Sequence, residues 1–268
     1  MPIESEPLLN VERVRGALAG TSFADVRYVR ETGSTNDDAA ALLGDPAAAG
    51  RTLVAEFQTA GKGRKAGRAW IAPAGSALLF TAVLPQAVPA SALWAVPFWT
   101  ALAVADGVEE GSGVRLDLRW PNDCDLRGRK VAGILCVSRI VGATAWVGCG
   151  VGINLRRPDD PAVAAIEPAP AYLSDAAPDV ERETVLAAIL GAMDGLLDVL
   201  ERPDDAAGAW EERAALRGTR YRLRLDADGS EIDGAAQSLD REGGLVVATA
   251  HGIRTVHLGD ARVIPPSP

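Results

Sequence analysis

The centre of the sequence contains two strand-like segments that are separated by a polar turn of only four residues. Residues 120–126 and 131–137 flank the turn Arg127-Gly128-Arg129-Lys130, and so short a connection is typical of a β-hairpin. A further strand-like segment, punctuated by glycines, follows at residues 144–155. Strands joined by short turns pair antiparallel. The sequence therefore predicts an antiparallel sheet at the core of the fold.

Helices and further strands are predicted on both sides of this hairpin. Apolar residues recur at helical spacing in some segments, and in others they alternate or run continuously as in strands. Pro97 lies inside one helical segment, where a proline is expected to kink the helix. Before residue 30 only one element, a helix, is predicted. The helices are expected at residues 8–19, 36–43, 91–108, 180–200 and 206–216, and the additional strands at residues 52–57, 77–84 and 114–118.

The pattern changes after Gly218. Residues 221–225 alternate strictly between apolar side chains and arginines, as a half-buried strand does. Short, closely spaced strands separated by turns favour a small β-barrel. We therefore expect two domains, residues 1–217 and 218–268. The further short apolar runs lie at residues 245–248, 253–256 and 262–264.

The chain of 268 residues carries a formal net charge of −9. A protein that binds DNA through its phosphates needs a basic face, so the acidity argues against DNA binding. No run approaches the ~18 apolar residues of a membrane span, and residues 1–7 lack the basic and apolar regions of a signal peptide. We therefore expect a cytoplasmic protein that has no membrane partner. No metal site is predicted, because the three cysteines are far apart and have no histidine nearby: Cys124, Cys136 and Cys149.

A glycine-rich segment concentrates positive charge in this acidic chain. Residues 61–68 contain three glycines and four cations, and Trp70 follows. Glycines let the backbone approach phosphate oxygens, cations neutralise their charge, and Trp70 offers a flat face to a base. Residues 61–70, called the cation loop below, are therefore predicted to bind an anion and to be mobile until it arrives. A solvated surface loop is the alternative from this segment alone.

A second cluster surrounds the turn of the hairpin. Only three of the 27 basic residues are lysines, at positions 62, 65 and 130. Lys130 opens the strand after the turn, and a compact ammonium there can hold a carboxylate and neutralise a departing phosphate. The alternative from local sequence is that Asn122 and Asp123 are turn formers and that Lys130 is an ordinary surface cation.

Ser34, Thr35 and Asn36 lie at the predicted start of a helix. Serine and threonine often cap helices with their hydroxyl groups. Polar side chains beside the free N–H groups of a helix also suit a neutral polar ligand such as a urea or an amide. The two interpretations are compatible with each other.

Taken in order along the chain, four motifs resemble those of the biotin protein ligases. The resemblance covers residues 25–265. It implies an α+β fold with a mixed, largely antiparallel sheet and flanking helices, similar to class II aminoacyl-tRNA synthetases and to the biotin and lipoate ligase core, plus a small C-terminal SH3-like β-barrel. The motifs are Ser34-Thr35-Asn36, Gln58-Thr59-Ala60-Gly61-Lys62-Gly63-Arg64, Trp120-Pro121-Asn122-Asp123 with residues 128–135, and Gly150-Val151-Gly152-Ile153-Asn154.

The resemblance also implies a two-step reaction and its partners. Biotin and ATP with Mg²⁺ first give biotinoyl-5′-adenylate and pyrophosphate. A lysine on the biotin carboxyl carrier domain of an acyl-CoA carboxylase then attacks the mixed anhydride. Such an enzyme is a biotin–[acetyl-CoA-carboxylase] ligase, and family members without a DNA-binding domain are monomers or homodimers.

Twelve residues receive roles from this resemblance. Lys130 would lie between the biotin carboxylate and the α-phosphate, and Arg64 would help to retain the adenylate, so both are the expected catalytic residues. The biotin contacts would be Ser34, Thr35, Asn36, Gln58, Lys62, Gly63, Arg64 and Lys130, and the nucleotide contacts would be Arg68, Trp70, Asn122 and Asn154.

Departures from the family pattern keep other functions open. Lys62 stands where the family usually has arginine, and one extra residue lies between Arg64 and Gly67. The extra residue favours a non-catalytic sensor of biotinoyl adenylate, whereas the intact Arg64 and Lys130 favour an enzyme. A lipoate or octanoate ligase on the same fold is a further alternative, although the histidine-containing lipoate signature is missing. Because only one helix is expected before Ser34, we expect the form without an N-terminal DNA-binding domain.

Overall fold

The computed structural model describes residues 9–65, 67–225, 229–257 and 259–264. Residues 1–7, where no signal peptide is predicted, lie outside these residues, and so do parts of the predicted second domain. Short 3₁₀ helices supplement the main elements. The helices are α1 (Val11–Ala17), α2 (Thr35–Leu42), α3 (Val96–Ser112), α4 (Pro161–Ala164), α5 (Arg182–Gly195) and α6 (Pro203–Arg213), and the strands are β1 (Val26–Thr32), β2 (Thr52–Gln58), β3 (Ala77–Val83), β4 (Val88–Pro89), β5 (Asp117–Arg119), β6 (Asp123–Leu126), β7 (Arg129–Val141), β8 (Thr144–Asn154), β9 (Arg220–Leu225), β10 (Glu231–Leu239), β11 (Leu245–Thr249), β12 (Gly252–Val256) and β13 (Gly259–Val263).

The first eight strands form one sheet. Its order is β1-β2-β3-β8-β7-β6-β5, and the short β4 pairs with β8. β1 and β2 are parallel to each other, whereas the other pairs are antiparallel. β7 and β8 pair near the middle of the sheet, and the hairpin that the sequence predicts around residues 127–130 joins β6 to β7. The predicted mixed, largely antiparallel sheet is confirmed.

Helices cover both faces of this sheet. Successive strand residues point to opposite faces, and on one of them Ala39 of α2 and Leu43, which follows α2, pack against Val83. α3 and α5 lie together on the other face. They approach so closely that a Cβ at Gly107 would be 2.3 Å from the Cα of Ile189. This leaves the α2 face, beside the start of that short helix, as the open side of the sheet.

α3 is the central helix of the core. The helical stretch from residue 90 to residue 112 is long and apolar enough to cross a membrane, but 72% of its most apolar window is buried inside the protein. The kink predicted at Pro97 is wrong. A 3₁₀ turn precedes α3, which begins at Val96, so Pro97 lies in the first turn of α3. There the missing N–H of a proline has no helical partner to lose.

The last five strands form a second, antiparallel sheet in the order β12-β11-β10-β9-β13. It is the small SH3-like β domain that the sequence predicts. The sheet is fastened to the first domain, because the indole Nε1 of Trp120 donates to the Gly243 carbonyl at 3.0 Å and Tyr221 is fully buried. A division of the chain at residue 217 stays a prediction; α6 ends at Arg213 and β9 begins at Arg220.

Apart from the two-residue β4, the strands that are absent from the sequence-based prediction are β1 and β10. β1 begins before residue 30, where only a helix is expected, and Val26 is its only fully buried residue because the strand lies at the sheet edge. β10 lies at the centre of the second sheet, but its middle consists of Gly234, Ala235 and Ala236. Neither strand has the run of large apolar side chains by which strands are recognised.

Candidate active site

A pocket opens on the sheet face that carries α2. It lies between the start of α2, the end of β2, the cation loop and the strands β3, β7 and β8. Residues that are distant in sequence meet there because β7 and β8 pair with each other and β8 pairs with β3. Ten of the twelve predicted site residues line this pocket: Ser34, Thr35, Asn36, Gln58, Lys62, Gly63, Arg64, Trp70, Asn122 and Lys130.

A hydrogen-bond network fixes one end of the pocket. Thr81, fully buried in β3, donates to Asn36 Oδ1 at 2.7 Å and lies 2.9 Å from Thr35 Oγ1. Asn36 Nδ2 donates to the Leu135 carbonyl at 2.9 Å. Gln58 Oε1 accepts the backbone N–H of Thr35 at 2.7 Å. These bonds tie the start of α2 to β2, β3 and β7, so the polar groups of that turn are held rigidly.

Ser34 is the N-cap residue of α2, but its hydroxyl makes no capping hydrogen bond. The predicted side-chain cap at Ser34 is therefore wrong. The backbone N–H groups of Asp37 and Asp38 bond to the Ser34 carbonyl instead. Because the residue lines the pocket, its hydroxyl can donate to or accept from a ligand.

Two glycines of β8 allow side chains to lie directly on the sheet. A Cβ at Gly150 would be 2.0 Å from Asn36 Oδ1 and 2.6 Å from the Leu135 carbonyl oxygen. A Cβ at Gly152 would be 2.7 Å from the ring of Trp70. The indole thus rests on β8 at the floor of the pocket. Its Nε1 is buried and has no hydrogen-bond partner among the residues that the structure describes.

Lys130 reaches the pocket because of a β-bulge. The pairing of β6 with β7 shifts by one residue between Cys124 and Asp125, which leaves Val131 without a partner on β6. Regular alternation would place Lys130 and Gly133 on opposite faces of the sheet. The extra residue brings both to the pocket face.

The ammonium group of Lys130 lies between an acid and an aromatic ring. Its Nζ is 2.6 Å from Asp123 Oδ1 and 5.6 Å from the centroid of the Trp70 ring. Asn122 is fixed beside it, because its Nδ2 donates to the Ile134 carbonyl at 2.7 Å. An incoming anion would therefore meet a lysine that is already oriented.

The cation loop folds back on itself as a short antiparallel ribbon. Lys62 pairs with Ala69, and the N–H of Trp70 donates to the Gly61 carbonyl at 3.0 Å. At the start of the ribbon, Lys62 Nζ is 2.5 Å from Asp37 Oδ1 in α2. The ribbon places Arg64 and Trp70 on the pocket.

The tip of the loop contacts the second domain. Arg64 donates to the Gly259 carbonyl at 2.6 Å. Lys65 Nζ is 2.9 Å from Asp260 Oδ2, and an Arg68 guanidinium nitrogen is 4.0 Å from the same oxygen. The predicted mobility of the empty loop assumes that its three glycines and four mutually repelling cations have little to hold them, and these contacts show that this assumption is wrong. It fails because the acidic partners come from segments remote in sequence.

Arg68 and Asn154 lie outside the pocket lining. The side chain of Arg68 is 68% exposed and faces Asp260. Asn154, at the end of β8, donates from Nδ2 to the Ala171 carbonyl at 3.2 Å. The predicted nucleotide contacts of both residues stay predictions, and the geometry of the pocket lends them no support.

Thr81 and Asp123 have no role in the sequence-based prediction, yet both shape the site. Thr81 organises the start of α2, and Asp123 holds Lys130. A signal for Thr81 does exist, because it is the one polar residue in the apolar strand β3, and buried polar groups need partners. For Asp123 the signal would have been its place in the motif Trp120-Pro121-Asn122-Asp123, from which only Asn122 received a role.

Asp125 lies on the same sheet face, next to this site. Burial raises the pKa of Asp125 to about 6, and the negative charges of Asp123 and Asp117 add to this shift. The guanidinium group of Arg119, whose Nε lies 3.4 Å from Asp125 Oδ2, opposes the shift. The folded protein thus holds the Asp125 proton more tightly than the unfolded chain does. Ionised Asp125 therefore lowers the stability above pH 6, and this penalty disappears as the pH falls toward 4.

We expect Asp125→Asn to stabilise the protein at pH 8 by at most about 3 kcal/mol, at about 1.4 kcal/mol per pKa unit, and to have no stabilising effect at pH 4. Urea unfolding at both pH values measures the difference. Asp233→Asn is the control, because the ion pair with Arg222 lowers the pKa of this exposed carboxyl and gives the opposite sign. An equal stability change at pH 4 and pH 8 would contradict the prediction for Asp125.

Residues 29–154 match the sequence profile of the Biotin/lipoate A/B protein ligase family. The chain is 31% identical over 265 residues to a biotin–[acetyl-CoA-carboxylase] ligase from Mycobacterium tuberculosis, and the match covers 95% of each protein. It is also 29% identical over 231 residues to the bifunctional ligase/repressor BirA of Bacillus subtilis, which covers 85% of this chain and 70% of that protein.

Solved structures show the same architecture. The biotin protein ligase from Aquifex aeolicus in complex with biotin and ATP superposes with a TM-score of 0.70, covering 90% of this chain and 98% of that one at 24% identity. This likeness concerns the fold, that is, the mixed sheet with its helices and the small β domain. With 31% identity to the Mycobacterium ligase over almost the whole length of both proteins, the chain belongs to the biotin protein ligase family.

Proposed function

We propose that this protein adenylates biotin with ATP and then transfers the biotinoyl group to a lysine on the biotin carboxyl carrier domain of an acyl-CoA carboxylase. The observation that carries the proposal is that one pocket has a neutral polar end and a cationic end. Ser34, Thr35 and Gln58 line the neutral end, and Lys130 and Arg64 line the cationic end.

The neutral end suits the ureido ring of biotin. A ureido group carries one carbonyl acceptor and two N–H donors, which hydroxyl and amide groups can satisfy without a net charge. Ser34 offers a hydroxyl that makes no capping bond. Asn36 acts differently, because Thr81 and Leu135 already engage both ends of its amide. Its proposed contribution is to hold the start of α2 in place.

The cationic end suits the reaction of a carboxylate with the α-phosphate of ATP. A carboxylate oxygen forms the new bond to phosphorus, while the bond to the pyrophosphate oxygen breaks. No proton moves in this step and no protein nucleophile is required, so the residues act by alignment and charge neutralisation. Lys130 would neutralise charge between the two reacting groups, and Arg64 would hold the anhydride phosphate.

Mg²⁺ would enter this site together with ATP. The described residues contain no group of three or more His, Cys, Asp or Glu side chains that could hold a metal ion alone. Mg²⁺ usually keeps several waters and binds phosphates plus one or two carboxylates, and Asp123 beside Lys130 offers one carboxylate. The residues present therefore fit a metal delivered by the nucleotide. Bound there, it would neutralise phosphate charge.

The carrier lysine completes the reaction. Its neutral amine attacks the acyl carbon of the adenylate and forms an amide bond, the bond from that carbon to the phosphate oxygen breaks, AMP leaves, and one amine proton passes to water. Arg64 and Trp70 of the cation loop would keep the adenylate in place until that attack. The cytoplasmic location, the lack of DNA and membrane partners and a monomeric or homodimeric state stay predictions.

The test is an assay of pyrophosphate release with ATP, Mg²⁺ and each of biotin, lipoate and octanoate. We expect release with biotin alone, followed by labelling of one lysine on a carrier domain. Release with lipoate or octanoate would instead support a ligase for those acids, and the name of the matched family includes lipoate ligases. Tight binding of synthetic biotinoyl adenylate without any pyrophosphate release would identify a sensor.

A further inference from the structure

The second domain contributes charge to the cation loop without lining the pocket. None of the described residues beyond Gly152 lines the pocket. The start of β13 nevertheless touches the loop, because the Gly259 carbonyl accepts from Arg64 and Asp260 lies beside Lys65 and Arg68. The loop thus joins the pocket to a strand that lies 195 residues away in sequence.

The charges at this contact are complementary. The loop tip brings three cations together within five residues, from Arg64 to Arg68, and Asp260 faces them. Although burial acts in the opposite direction, the hydrogen bond from Lys65 and the charges of Lys65, Arg68 and Arg64 hold the pKa of Asp260 below its ordinary value. The carboxylate is therefore ionised at neutral pH and offsets the repulsion within the tip.

A restraint at the tip extends to the pocket through the ribbon. The N–H of Gly63 donates to the Arg68 carbonyl at 2.8 Å, and the N–H of Trp70 donates to the Gly61 carbonyl at 3.0 Å. The two arms of the ribbon therefore move together. Fixing Lys65 and Arg68 on one side limits the positions that Trp70 can take on the other.

We infer that Asp260 is a positioning residue, which holds the tip of the cation loop against β13 so that Arg64 and Trp70 stay at the pocket before ATP arrives. This inference rests on the proposed function. A loop that is ordered in advance loses less conformational entropy when a ligand binds. Asp260 therefore acts on nucleotide binding and on retention of the adenylate, while the chemical step depends on Lys130.

The first experiment is independent of activity. Trypsin cleaves after lysine and arginine, and four such residues lie in the loop. For Asp260→Asn we expect cleavage in the loop to become about fivefold faster. This is the size of effect that the loss of a partly exposed ion pair can produce. Asp233→Asn is the matched control, because Asp233 also pairs with an arginine in the second domain but lies away from the loop. Mass spectrometry of the fragments identifies the bonds that are cut.

The second experiment measures the kinetics of adenylation. For Asp260→Asn we expect the KM for ATP to rise about fivefold, kcat to change less than twofold, and more adenylate to escape and label bystander lysines. Asp260→Glu keeps the charge and is expected to restore the KM. If Asp260 had a merely structural role, Asp260→Glu would not restore the KM selectively. Asp260→Asn would then lower kcat together with the melting temperature.

The results separate this inference from the proposed function. If the loop of Asp260→Asn is cleaved at the wild-type rate, the positioning role is wrong. It is also wrong if cleavage becomes faster by the same factor in the loop and at the arginines of β9. If the wild-type protein releases no pyrophosphate with biotin, the proposed function fails, and the proteolysis still decides whether Asp260 holds the loop.

Discussion

Lys130→Arg is expected to lower the rate of biotin adenylation by about two orders of magnitude, the usual cost of losing one well-placed charge contact in a transition state. The ammonium fits between Asp123 Oδ1 and the ring of Trp70, at 2.6 Å and 5.6 Å. A compact charge there can follow negative charge from the biotin carboxylate to the α-phosphate. The planar guanidinium is larger and prefers two hydrogen bonds to one oxyanion.

A single-turnover adenylation assay tests this expectation, with the melting temperature as a check on folding. Arg129→Lys is the matched control, because Arg129 precedes Lys130 in β7 and bonds instead to Asp175 on the surface, at 3.3 Å. We expect the control to react at the wild-type rate. A Lys130→Arg rate within about threefold of wild type would show that the ammonium has no special role.

Gly150→Ala is expected to weaken biotin binding about 100-fold and to destabilise the fold by about 1–3 kcal/mol. The new Cβ would lie 2.6 Å from the backbone oxygen of Leu135, which cannot move away, and 2.0 Å from Asn36 Oδ1. Asn36 must therefore leave, and its bonds to Thr81 and Leu135 break. The loss in binding corresponds to about two hydrogen bonds of roughly 1–1.5 kcal/mol each, and the loss in stability is typical of overpacking.

Titration calorimetry with biotin alone measures the first effect, and urea unfolding measures the second. Gly148→Ala is the control, on the same strand and the same face. Its Cβ would lie 3.1 Å from the methyl groups of Thr81 and Val137 and 3.4 Å from the Cβ of Ala39, and these side chains can shift slightly. Equal biotin affinity in the two variants would show that the close approach at Gly150 has no part in binding.

The strands that the sequence predicts are those whose burial leaves a clear pattern. β3 is buried at each of its seven residues, and its apolar run marks it. β1 and β10 leave no such mark, because an edge strand and a strand of small residues need few large apolar side chains. The parallel pairing of β1 with β2 is a tertiary property that a local pattern does not encode.

The residues of the pocket also divide into those that the sequence predicts and those that it does not. Ten of the twelve residues taken from the family motifs meet at one place, because residues that contact a common ligand keep their spacing within each motif. The supporting contacts are harder to predict. Asp260 reaches the cation loop from β13, and no local pattern in either segment indicates this meeting of remote charges.

The bulge at Val131 makes the site depend on the number of residues in a strand as well as on their identity. In a regular strand, residues three positions apart lie on opposite faces, so losing the bulge at an unchanged chain length would turn Lys130 from the pocket into the core. Deleting Val131 would instead leave Lys130 two positions before Gly133 and on the same face as that glycine. Changes that straighten β7 without shortening it are therefore expected to separate the charge from the ligand, with no change to the lysine itself.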